Sequence, residues 1–159
     1  MELRSIYEDG QRIPDKCANI GVDGGKNTSP PLEWGGAPPE TKSFALSIID
    51  RHPAAKQFVH WLVIDVPPTV TSVGEGVSLT PRMPTPAKEL NTNYGRPGYG
   101  GPRPPAGTGD HGYEAVVYAL NVPHLGLPEA VMREEFEKAL EGTVLDSAKL
   151  TGLYSRQDS

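Results

Sequence analysis

Ser43-Phe44-Ala45-Leu46-Ser47-Ile48-Ile49-Asp50 and Phe58-Val59-His60-Trp61-Leu62-Val63-Ile64-Asp65-Val66 are two short apolar runs joined through Arg51-His52-Pro53. Both are rich in β-branched and aromatic residues and are bounded by proline-containing turns, so both read as strands. Tyr113 to Val122 repeats the pattern, and Leu3 to Tyr7 and Ala148 to Tyr154 are weaker versions of it. One segment, Pro128 to Glu141, reads as a helix: Pro128 suits its first turn, Val131, Met132, Phe136, Ala139 and Leu140 form a stripe, and Gly142 ends it. Several short strands without alternating helices predict a mostly β, antiparallel sandwich with one or two short helices near the C-terminus, not parallel βαβ units.

The 159 residues suit one domain, and no repeat or charged linker divides them, so residues 1–159 are read as a single unit. The long connection from Pro81 to Gly112 is informative, because a loop of that length in a compact domain is either functional or disordered. Its many glycines permit tight turns while Pro97, Pro102, Pro104 and Pro105 stiffen it, which suits a pocket wall. Fifteen basic against twenty acidic residues leave a formal charge of −5, which disfavours a nonspecific grip on nucleic acid or on an anionic membrane surface. No run approaches the roughly 18 apolar residues of a membrane helix, so an integral membrane protein is not expected. Cys17 has no intrachain partner and reads as a small buried hydrophobe; with a polar start at Met1 to Ser5, the expected location is cytoplasmic.

Strand alternation then nominates the chemistry. Phe58, His60, Leu62 and Ile64 should share one face, which buries His60 among apolar side chains, and Asp50 should end the row Phe44, Leu46, Ile48. Each residue also has a plain structural reading: His60 as a core histidine with satisfied hydrogen bonds, and Asp50 as a cap on the Arg51-His52-Pro53 turn. The loop Gly107-Thr108-Gly109-Asp110-His111-Gly112-Tyr113 leads into the third strand with His111 and Tyr113 on one face. Two imidazoles and a phenol beside a carboxylate can hold phosphate or carboxylate oxygens, with loop amides after Pro105 as further donors. The Gly-Lys-Ser/Thr ending of a nucleotide P-loop is missing, and Asp50, His52, His60 and His111 lack the tight spacing of a metal site, so neither cofactor nor metal is expected.

Three blocks carry a family resemblance: Asn27-Thr28-Ser29-Pro30-Pro31-Leu32-Glu33-Trp34 with Thr41 to Leu46; Asp50 through His60-Trp61; and Tyr99-Gly100-Gly101-Pro102-Arg103-Pro104-Pro105 through His111-Gly112-Tyr113. With Asp9 to Pro14 and Leu150 to Tyr154, they make nearly the whole chain resemble the phosphatidylethanolamine-binding protein family, also called Raf kinase inhibitor-like, in its bacterial and archaeal branch. The resemblance implies a Greek-key β-sandwich with a small anion pocket at one end. It implies Asp50 as the pocket carboxylate, His60 in a His-Trp pair, His111 and Tyr113 as a His-x-Tyr pair, and Pro104, Pro105 and Gly107 as the rim. It further implies phosphate-like or phospholipid head-group ligands, a kinase or protease as protein partner, a homodimer in bacterial relatives, and no catalytic residue.

Two departures bear on ligand choice. The family's Asp-Pro-Asp-Ala-Pro block reads Asp50-Arg51-His52-Pro53-Ala54 here, so Arg51 and His52 are expected to bring positive charge where relatives carry a second acid. The chain also ends soon after Tyr154-Ser155-Arg156, where animal members add a helix over the pocket. The leading expectation is a non-enzymatic anion-binding module. The alternatives are an inhibitor acting through a surface loop and a phosphoesterase using two histidines as acid and base.

Overall fold

The chain folds as two antiparallel sheets, and the computed structural model describes residues 1–156. Strands β1 (Glu2–Arg4), β2 (Leu32–Gly35) and β5 (Ser72–Val73) form a small sheet in the order β1-β2-β5. Strands β3 (Ser43–Asp50), β4 (Val59–Val66), β6 (Lys88–Glu89), β7 (His111–Leu120) and β8 (Val144–Tyr154) form a larger one in the order β6-β4-β3-β7-β8. The expected strands are all present, with β1 shorter than Leu3 to Tyr7 and β8 longer than Ala148 to Tyr154.

Every residue of β3 is buried, which explains its unbroken apolar run. Its odd and even side chains enter two different cores. Phe44, Leu46 and Ile48 pack with Trp61, Val63, Ala115 and Val117 against Leu3, Leu32, Trp34 and Val73 of the small sheet, which makes the sandwich. Ala45 and Ile49 pack with Leu62, Ile64 and Leu120 on the outer face, beneath Val131, Phe136 and Leu140. A central strand covered on both faces needs no polar alternation.

The helix is shorter than the sequence suggests, running from Arg133 to Leu140 rather than from Pro128. The cause is tertiary: the Glu129 carbonyl, which a longer helix would turn to its own amides, accepts the Asn91 N–H at 2.8 Å. The turn starts instead where Glu135 reaches back to the Met132 N–H at 2.6 Å. Phe136 and Leu140 of the expected stripe are buried, whereas Met132 is exposed. Gly142 ends the element as expected, with φ +76°.

A cavity where the central strands end

Pairing of Asp50 with Tyr113 puts the last residue of β3 beside the third residue of β7. Asp50, His111 and Tyr113 thereby meet at one end of the sandwich, with Tyr113 on the inner face that Ala115 and Val117 continue. His60 arrives by a different route. Register between β3 and β4 slips so that Ile48 pairs with Trp61 while Ile49 pairs with Val59. The extra residue is His60, and this bulge turns it away from Leu62 and Ile64, which lie in the outer core, toward the inner face. Strict alternation therefore gave His60 the wrong companions; its neighbours are the Tyr113 ring at 5.0 Å, the Phe58 ring at 5.0 Å and the Tyr94 ring at 5.7 Å.

The Pro81–Gly112 connection supplies the remaining wall, as its stiffness suggested. Asn27 clips it to the body of the protein, donating to the Tyr99 carbonyl at 3.0 Å and accepting the Gly101 N–H at 2.6 Å. Gly101 is needed there, since a Cβ would overlap the Cys17–Asn19 backbone. Together these walls enclose about 260 Å³, bounded by Asp50, His60, His111 and Tyr113 with Phe58, Tyr94, Arg103, Pro104 and Pro105. Gly107 does not line the cavity; it is exposed with φ +82°, and its part is to turn the loop that carries Thr108.

Hydrogen bonds fix what each side chain can offer a ligand. Both Asp50 oxygens are engaged: Oδ2 meets His111 Nδ1 at 2.6 Å, and Oδ1 accepts the His52 N–H at 2.9 Å. Asp50 thus caps the His52 turn with one oxygen and meets His111 with the other, at the edge of the cavity. Thr108 donates its hydroxyl proton to the Pro105 carbonyl at 2.7 Å, so its oxygen faces His111 Nε2 at 2.8 Å as an acceptor. His111, whose ring stacks on His52 at 3.9 Å, then has both nitrogens occupied, Nδ1 by Asp50 and Nε2 by Thr108. His52 accepts the Ala54 N–H on Nδ1 at 3.0 Å, so its Nε2 donates to the Thr108 carbonyl at 3.1 Å. That neutral tautomer does not bring the positive charge expected of His52. Arg51 does not bring it either, because it pairs across the strands with Glu114 at 3.1 Å and donates to Gln57 at 2.9 Å.

Three groups remain for a ligand. The Tyr113 hydroxyl is buried with no hydrogen-bond partner, and burial first, then the negative charge of Asp50, keep the phenol protonated far above its ordinary range. His60 donates Nδ1–H to the Gly100 carbonyl at 2.6 Å, and burial pulls its pKa down to about 4, so it is neutral at pH 7 with a bare lone pair on Nε2. Arg103 stands exposed at the mouth and supplies the cation that Arg51 and His52 do not. Sequence periodicity carries no signal for Arg103, and the only cue is its place between Pro102 and Pro104, which fix the local backbone. A larger hollow of about 480 Å³ lies over the small sheet near Arg4, Ile6 and Glu33, but Arg4 and Glu33 pair with each other at 2.8 Å. Cys17 is buried, and burial pushes its thiol up to about 11, as suits an inert core cysteine. No helix among the described residues is long and apolar enough to cross a membrane.

The chain is thus a two-sheet antiparallel sandwich with a small cavity at the end of its central strands, largely apolar in lining and set with a few polar groups. The model of the family described as "Phosphatidylethanolamine-binding protein" matches residues 4–155. The chain belongs to that family. It is 38% identical over 157 residues to a UPF0098 protein of Methanothermobacter thermautotrophicus, covering 98% of this chain and 99% of that one. It is 36% identical over 150 residues to a UPF0098 protein of Aquifex aeolicus, covering 94% and 85%. Among solved structures it resembles Escherichia coli YbcL, titled a new member of the mammalian PEBP family, with TM-score 0.91, 28% identity and 98% of each chain covered.

Proposed function

We propose that the protein is a non-catalytic binding module whose Asp50–His111 end cavity holds a small phosphate-like anion, free or as the head of a larger molecule. The observation that carries this reading is the Tyr113 hydroxyl, buried beside Asp50 with no hydrogen bond of good geometry, on a residue that lines the cavity together with the Arg103 cation. A buried donor left unmade costs free energy, and an anion oxygen would recover it. His111 acts here as a positioning residue, because Asp50 and Thr108 occupy both its nitrogens.

The same occupancy argues against acid–base hydrolysis of a phosphoester. Such a reaction needs two proton-transfer groups within reach of the substrate, and His60 Nε2 is the single imidazole nitrogen of the site without a protein partner. The experiment is an NMR titration of the protein with inorganic phosphate. The reading expects saturable shifts at Gly100, Gly101 and Tyr113, lost in Tyr113→Phe; shifts elsewhere, or none, would refute it.

A further inference from the structure

Two residues that stand behind the cavity join its walls. One wall is the turn Pro53–Ala55, whose Ala54 and Ala55 line the cavity beside Phe58. The other is the end of the long connection, where Pro104 and Pro105 line it before the chain reaches His111. His52, at the head of the turn, donates from Nε2 to the Thr108 carbonyl at 3.1 Å and so ties one wall to the other.

Both ends of this tie are themselves fixed. The His52 ring lies flat on His111, with centroids 3.9 Å and planes 12° apart, while its Nδ1 accepts the Ala54 N–H at 3.0 Å. The Thr108 hydroxyl meets the Pro105 carbonyl at 2.7 Å and His111 Nε2 at 2.8 Å. Little else holds the chain around it. Ala106, Gly107, Gly109 and Asp110 are exposed, and among the described residues the segment's hydrogen bonds to the body of the protein run through Thr108 to His52 and His111. Gly107 and Gly109, with φ +82° and +73°, leave the backbone free to swing on either side of Thr108. On the opposite wall Lys56 and Gln57 follow the turn at φ +51° and +58°, unfavourable for residues with a Cβ, with Gln57 held by Arg51 at 2.9 Å.

We propose that His52 is a positioning residue: with Thr108 it clasps the two walls together and keeps the cavity ready-formed, so that a ligand enters without having to order the segment from Ala106 to Asp110. The consequence for binding rests on the anion-binding reading above; the clasp itself does not. A segment left free would be ordered at each binding event, and that cost is subtracted from affinity. The same bonds keep His111 in place, since Thr108 meets its Nε2 while Asp50 meets its Nδ1.

The experiment is NMR on the full chain, as parent and two variants. His52→Phe keeps a ring over His111 but removes the bond to Thr108, whereas His52→Gln gives up the ring and sets a side-chain N–H near the place of Nε2. In the unliganded parent, backbone order parameters from Ala106 to Asp110 are expected near the rigid value of about 0.85. In His52→Phe they are expected to fall below about 0.6 and to recover on adding inorganic phosphate, which binds about tenfold more weakly than to the parent. His52→Gln is expected to stay ordered and to bind phosphate within a few-fold of the parent. A parent segment already below about 0.6, or a Phe variant as ordered as the parent, overturns the clasp. So does a Gln variant as loose as the Phe variant, which would put the effect in the stacked ring. A loosened Phe variant that binds phosphate as tightly as the parent overturns the positioning role. A parent that binds no phosphate overturns the anion-binding reading, and the unliganded order parameters then decide the clasp alone.

Discussion

Replacing Tyr113 by Phe separates the two things its side chain does. The ring is 1% exposed and packs in the inner core, so Phe keeps the packing. The hydroxyl is buried without a partner, and an unmet donor of that kind costs about 1–3 kcal/mol in the free protein. Tyr113→Phe should therefore stabilise the unliganded fold, by about 1 kcal/mol once the residual attraction of the hydroxyl to Asp50 is allowed for. In a domain of this size that raises the thermal midpoint by about 2–4 °C. Phosphate binding should move the opposite way. A hydrogen bond to a charged oxygen contributes about 1.5–3 kcal/mol, so affinity falls by about 10–150-fold. Thermal unfolding without ligand and a phosphate titration, run on the same preparations, read both signs. A Phe variant less stable than the parent with unchanged phosphate affinity would refute the reasoning, since the hydroxyl would then serve the fold and not a ligand.

Three further outcomes follow from the same geometry. Arg103→Ala removes an exposed cation, so phosphate affinity should fall only a few-fold, more at low salt, with the unfolding midpoint unchanged. Asp50→Asn weakens the bonds its carboxylate makes to buried His111 and to the His52 N–H and should lose about 1.5–3 kcal/mol in urea unfolding at pH 7. For His60 the folded pKa of about 4 lies below the ordinary value of 6.5, so in that window the unfolded chain binds a proton that the folded one refuses. Its contribution is full above pH 6.5 and is lost as pH falls toward 4, by about 3 kcal/mol in all, which urea unfolding of His60→Gln against the parent should show as a flatter pH dependence.

The legible parts of the fold were those written in uninterrupted runs. β3 and β4 announce themselves because both of their faces are buried, whereas β2, β5 and β6 are too short for any period to appear and are held by their neighbours in the sheets. Asp50, His60, His111 and Tyr113 were nominated together, and the structure brings them to one cavity, although His60 gets there through a bulge that alternation cannot foresee. Arg51 misled because its partner, Glu114, comes from a strand more than sixty residues away, and only the β3–β7 register reveals the pairing. Thr108 escaped notice for a related reason: its role depends on loop geometry that sets one hydroxyl between the Pro105 carbonyl and His111.

The most direct test is a crystal structure of the protein with inorganic phosphate. Phosphate oxygens within hydrogen-bonding distance of both the Tyr113 hydroxyl and His60 Nε2, with the Asp50–His111 pair intact, are the expected result. Phosphate seated elsewhere, for instance in the hollow beside Arg4, with the end cavity holding only solvent, would contradict it.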